Sequence, residues 1–68
     1  MPAFEVAIYN KDVLECVNEG RRHKQLSDDW ADTHYLEVNA ATEADARRKI
    51  LTKYPEDHGF VITDISAA

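Results

Sequence analysis

The 68-residue sequence predicts a single α+β domain: a two-layer sandwich in which two helices pack on one face of a three-stranded sheet, in the order β, α, β, α, β. Three observations carry that reading. Residues 3–9 and 33–40 alternate apolar and polar side chains with the period of a half-buried strand. Residues 42–54 repeat apolar side chains at helical spacing between a threonine cap and Pro55. Phe60 to Ile65 is rich in β-branched and aromatic residues.

In the first strand Phe4, Val6 and Ile8 fall on one side and Glu5, Ala7 and Tyr9 on the other. Residues 10–23 admit two readings, a helix or a second hairpin strand that would make the order ββαβ. Advancing about 100° per residue gathers Val13, Leu14, Cys16 and Val17 into one arc, with Gly20 inside it. Lys11, Asp12, Glu15, Asn18, Glu19 and Arg22 fill the complementary arc. A strand would instead wedge Glu15 between Val13 and Val17 on one face, so the helix is favoured. Asn10 suits its N-cap, Asp12 and Glu15 lie early, and Arg21 and Arg22 lie late, as the helix dipole prefers. Gly20 weakens or ends the last turn.

Residues 24–32 have no sustained period and read as a connection with one helical turn after Ser27, Trp30 plugging the edge of the core. The second strand turns Leu36, Val38 and Ala40 inward and Thr33, Tyr35, Glu37 and Asn39 outward. The second helix opens on a capping-box variant, Thr42 to Asp45. Its apolar arc holds Ala44, Ala46, Ile50, Leu51 and Tyr54; Asp45, Arg48, Lys49, Thr52 and Lys53 form the polar one. Arg47 falls inside the apolar arc, where it must snorkel outward or meet an acid such as Asp64. The crossovers allow parallel neighbours, and strand order stays open. Residues 1–65 are expected to form the domain and 66–68 a frayed tail.

A chain of this size buries only about 60% of its surface, which permits one thin core. A single cysteine forms no intrachain disulfide, the N-terminal residues lack the basic start of a signal peptide, and no apolar run approaches a membrane span. A cytoplasmic location without membrane contact is the expectation. With glycine only at 20 and 59 there is no phosphate-cradling loop, so no nucleotide cofactor is expected. His23, His34 and His58 are scattered and lack ligand spacing; Asp32 and His34, approached by Asp28 or Asp29, make an adventitious metal site conceivable, and no metal site or catalytic residue is assigned. Cys16, in the apolar arc, reads as a small hydrophobe.

The net charge of -5 conceals segregation: seven of the eight Lys and Arg lie in two clusters, Arg21, Arg22 and Lys24, then Arg47, Arg48, Lys49 and Lys53. These either form one basic strip or are solvated helix faces, with Glu43 pairing Arg47 and Asp45 pairing Lys49 at i, i+4. The sheet face away from the helices carries Tyr9 and Tyr35. The tract from Tyr35 to Ile65 resembles a generic strand, capped helix, strand unit of small proteins and implies no functional residue. The expected function is therefore a non-catalytic accessory or regulatory module acting through protein contacts, self-associating as a homodimer. Its candidate surface comprises Tyr9, Tyr35, Arg21, Arg22, Arg47, Arg48 and Lys49. Nucleic-acid binding through the basic clusters is the alternative, disfavoured by an isoelectric point near 4.9, and a small metal-dependent enzyme the third.

Overall fold

The structure, a computed structural model, describes residues 2–68. Strands β1 (Ala3–Asn10), β2 (His34–Asn39) and β3 (Phe60–Ala67) form one sheet, with helices α1 (Lys11–Asn18) and α2 (Glu43–Lys53) between them in sequence. The βαβαβ order is as the periodicity predicts. The sheet is antiparallel throughout, with β1 central and the order β2-β1-β3, so the parallel neighbours that the crossovers allowed do not occur. The two edge strands run parallel to each other, separated by β1.

The hairpin reading of residues 11–23 fails because Asn10 converts the end of β1 directly into a helix start. Its Oδ1 accepts from the amides of Asp12 (2.9 Å) and Val13 (3.0 Å). Helix α1 is shorter than the sequence suggested. Gly20 adopts φ +72°, Arg21 N–H donates to Cys16 O (2.7 Å) and Gly20 N–H to Val17 O (3.1 Å), the paired bonds of a Schellman stop. Arg21 and Arg22 therefore lie beyond the helix and not in its last turn.

Helix α2 has the expected bounds, but only half of the capping box forms, the Asp45 carboxylate pairing with Arg48. Thr42 Oγ1 accepts from Asp45 N–H (3.2 Å), and the helix ends before Pro55. It lies across all three strands, whereas α1 packs chiefly on the 3-10 turn Asp28–Ala31 beyond the sheet's end. The molecule is accordingly elongated, 41 × 19 × 14 Å, with a radius of gyration of 12.7 Å. A compact chain of this length would have about 11 Å.

The core is Val6, Ile8, Ile50 and Phe60, with Trp30, Leu36, Val38, Tyr54, Ile62 and Ile65 half-buried against it. Ile62 and Ile65 are three apart, which a regular strand cannot turn to one face. A bulge resolves this: Ala7 pairs with Asp64 and Ile8 with Ile62, leaving Thr63 as the extra residue, its hydroxyl donating to Ala7 O (3.3 Å). Ile62 then sits beside Ile8 and Ile65 beside Val6.

The frayed tail expected at 66–68 is instead ordered. Ser66 pairs with Glu5, Ala67 with Phe4, and Ala68 N–H donates to Ala3 O (2.9 Å). Ladder bonds are made by the main chain, and β1 extends far enough to supply partners whatever the side chains.

The two glycines predict a contrast. Gly59 adopts φ +92°, and a Cβ there would stand 2.8 Å from Asn10 Oδ1 and 2.7 Å from Asp12 Cγ; at Gly20 a Cβ meets nothing. Gly20→Ala should cost about 1 kcal/mol, the left-handed penalty alone, and Gly59→Ala about 2 kcal/mol because the clash adds to it. Urea midpoints of the two variants test this; equal midpoints would show that the crowding at Gly59 relaxes freely.

Candidate functional site

The strand pairings define the sheet face that α2 leaves uncovered. Across it Ala7 lies between Tyr35 and Asp64, Glu5 between Glu37 and Ser66, and Tyr9 opposite Val61. Ala7 is buried by its neighbours, and Tyr9 is half-buried. Tyr35 on edge strand β2 is 67% exposed, the most exposed of the large hydrophobic residues. Tyr9 and Tyr35 thus share a face, as the alternation predicts. Glu5 and Glu37 stand directly opposite each other on that face, with Asp64 beside Ala7, so the aromatic strip is set in carboxylates.

The basic clusters are not on this face, and the structure gives them separate surroundings. Arg21 and Arg22 border a hollow of about 390 Å³ between α1 and the following loop, together with the acids Asp12 and Glu15. Arg21 bonds Glu19 at 2.8 Å, and that carboxylate raises the guanidinium pKa further. On α2 the expected i, i+4 pairs are replaced by one i, i+3 pair, Arg48 to Asp45 at 3.0 Å. Lys49 is thereby released from Asp45, and its ammonium donates to Asn39 O at the end of β2 (2.6 Å). Arg47 is exposed and borders a small hollow with Leu51, Glu56 and Phe60, so its stem crosses apolar surface as snorkelling requires. Asp64 lies on the other side of the sheet from α2 and is not its partner.

The apolar arc of α1 is also corrected. Only Val13 is buried; Cys16 is half-buried, and Leu14 and Val17 are 36% and 41% exposed. The cause is position: a helix that starts directly from the end of β1 packs chiefly on the 3-10 turn and touches the sheet mainly at β3. Helical periodicity gave the stripe but not what would cover it.

Two of the three histidines are engaged by the backbone. His34 Nε2 donates to Asp29 O (2.8 Å) while its ring stacks on Trp30 at 4.4 Å. His23 Nδ1 accepts from the amides of Gln25 (3.1 Å) and Leu26 (3.2 Å), folding the connection. Among the described residues no three His, Cys, Asp or Glu side chains are grouped to hold a metal ion, and no helix is long and apolar enough to cross a membrane.

One feature escaped the sequence reading, a groove of about 430 Å³ between α2 and the free edge of β2. Leu36 and Val38, counted as core, are only half-buried because they sit on an edge strand. Lys53, a member of the second basic cluster, borders the groove with Lys49. Comparison of the chain with known protein families, curated proteins and solved structures finds no match.

Proposed function

We propose that this chain is a non-catalytic interaction module that works through protein contacts, and that it self-associates through the uncovered sheet face. The observation that carries the reading is Tyr35, a large aromatic left 67% exposed on a sheet face with no second layer. A hydrophobic ring in that position loses little entropy on docking and gains apolar burial, the pattern of an interface anchor. The engagement of His23 and His34 by backbone groups supports structural, not catalytic, use of both rings.

The face spans two strands of eight residues and one of six, a footprint of at most about 14 by 26 Å. That is roughly half the 800 Å² per partner of a standard interface, so association should be weak and reversible. Two copies packed face to face also bring Glu5, Glu37 and Asp64 of each toward the other, and added salt should strengthen the contact by screening them. The aromatic strip and the basic clusters occupy different surfaces, and a nucleic acid stacked on Tyr35 would meet carboxylates.

Sedimentation and thermal melting from about 1 mM down to about 10 nM protein test the reading. Both the sedimentation coefficient and the Tm should fall on dilution, and Tyr35→Ser should weaken association about tenfold or more while leaving the monomer folded. A coefficient and Tm unchanged over the whole range would end the homodimer reading.

A further inference from the structure

We infer that the groove between α2 and the outer edge of β2 receives an extended, acidic and apolar segment of a partner protein, added to the sheet as a fourth strand beside β2. The inference rests on the reading of this chain as a protein-contact module but concerns a different surface from the tyrosine face.

Strand β2 pairs with β1 on one side only, so its other edge presents unpaired backbone donors and acceptors except at its last residue, where Asn39 O accepts from Lys49. Beside that edge the groove offers both further requirements of strand addition. Leu36, Val38, Ile50 and Tyr54 provide an apolar wall for alternate side chains of an incoming strand. Lys49 and Lys53, one helical turn apart and both exposed, outnumber the one carboxylate of the lining, Glu37, and leave the groove a net positive charge. Among the described residues neither lysine lies within salt-bridge distance of a carboxylate; Asp45, the expected partner of Lys49, pairs with Arg48. The bond from Lys49 to Asn39 O fixes one ammonium at the end of the strand. A carboxylate on the incoming segment meets a cation already in place.

The same charges decide against a second copy. Two β2 edges joined about a two-fold axis would set Lys49 and Lys53 of one copy beside those of the other across the seam. Addition of β3 from another copy would suit the charges, but that contact does not close and would run on as an open array. The bulge at Thr63 also disrupts β3 as a regular partner edge.

The test is an amide NMR titration of the full chain with two capped octapeptides, one alternating Val and Glu and the other Val and Lys. Saturable shifts confined to residues 34–39 and 49–54 with the Val-Glu peptide, weakening as salt rises, are the expected result. The double variant Lys49→Glu, Lys53→Glu should lower that affinity about tenfold or more and favour the Val-Lys peptide instead. Equal binding of both peptides, shifts centred on β3 or the tyrosine face, or no saturable shift would overturn the inference. Shifts that follow protein concentration without peptide and fall on residues 49–54, which the tyrosine face does not contain, would overturn it in favour of a second copy. The salt response keeps the two readings apart: groove binding weakens with salt whereas self-association strengthens, and a chain monomeric at every concentration can still bind the peptide.

Discussion

Asn10→Ala is expected to remove about 3 kcal/mol of folding stability, about 1 from the lost helix cap and about 2 from stranded backbone groups. In a domain of this size that lowers the Tm by roughly 12 to 24 °C. Asn10 is fully buried, the one polar side chain in the buried set, and it joins three elements. Its Oδ1 holds the first two free amides of α1, while its Nδ2 donates to His58 O (2.9 Å), 48 residues away. The next residue completes the junction, Lys11 N–H donating to Gly59 O at 2.8 Å. Alanine leaves both the α1 amides and the His58 carbonyl without their partner. Asn10→Ser separates the two contributions, because serine caps a helix but is too short to reach His58; it should lose about half as much. Thermal and urea unfolding of the pair measures both. A loss below about 1 kcal/mol for Asn10→Ala would show that water replaces the amide at little cost.

Trp30→Ala should cost a similar amount, about 3 kcal/mol, at the lower end of the range for truncating a large aromatic because the ring is only half-buried. The indole meets Phe60 edge-on at 5.1 Å and Tyr54 at 5.3 Å, and stacks on His34 at 4.4 Å. It is thus the residue that ties the connection between α1 and β2 to the aromatic end of the core. Its loss opens a void under Phe60 and frees that connection. Hydrogen-exchange protection of residues 24–33 should therefore fall further than that of β1. Trp30→Phe restores part of the contact and should recover about half the stability. Since Trp30 is the only tryptophan, the variants are followed by far-ultraviolet circular dichroism and not by indole fluorescence. A Trp30→Ala protein that melts within a few degrees of the parent would show that the ring covers the core without supporting it.

Much of this architecture is legible in the residues because its causes are local. The caps at Asn10 and Thr42 act on amides within three positions, and the observed bonds are those that the sequence implies. The alternation of Leu36, Glu37, Val38 and Asn39 is reproduced residue by residue in burial. The turn after Ser27 and the docking of Trp30 follow in the same way. The failures share the opposite property. Leu14 and Val17 are apolar at helical spacing, yet exposed, because their cover had to come from elements that α1 does not reach. Asp45 selects Arg48 over Lys49, a choice between neighbouring rotamers to which spacing is blind. That choice is what leaves Lys49 without a carboxylate partner beside the groove.

The sequence by itself determined the number and order of the strands and α-helices, their N-caps, and the faces of β1 and β2. Each of these depends on interactions within one turn or one pleat. Only the tertiary structure decided that β1 is central, that all pairs are antiparallel, that Thr63 is bulged out and that the last residues are strand. Those outcomes rest on backbone bonds between residues as distant as Ala7 and Asp64, which nearly any side-chain pattern tolerates. The candidate surfaces belong to the same category. The tyrosine face and the β2 groove exist because one helix covers the sheet while the other packs chiefly on the 3-10 turn, and no periodicity along the chain records where a helix comes to rest.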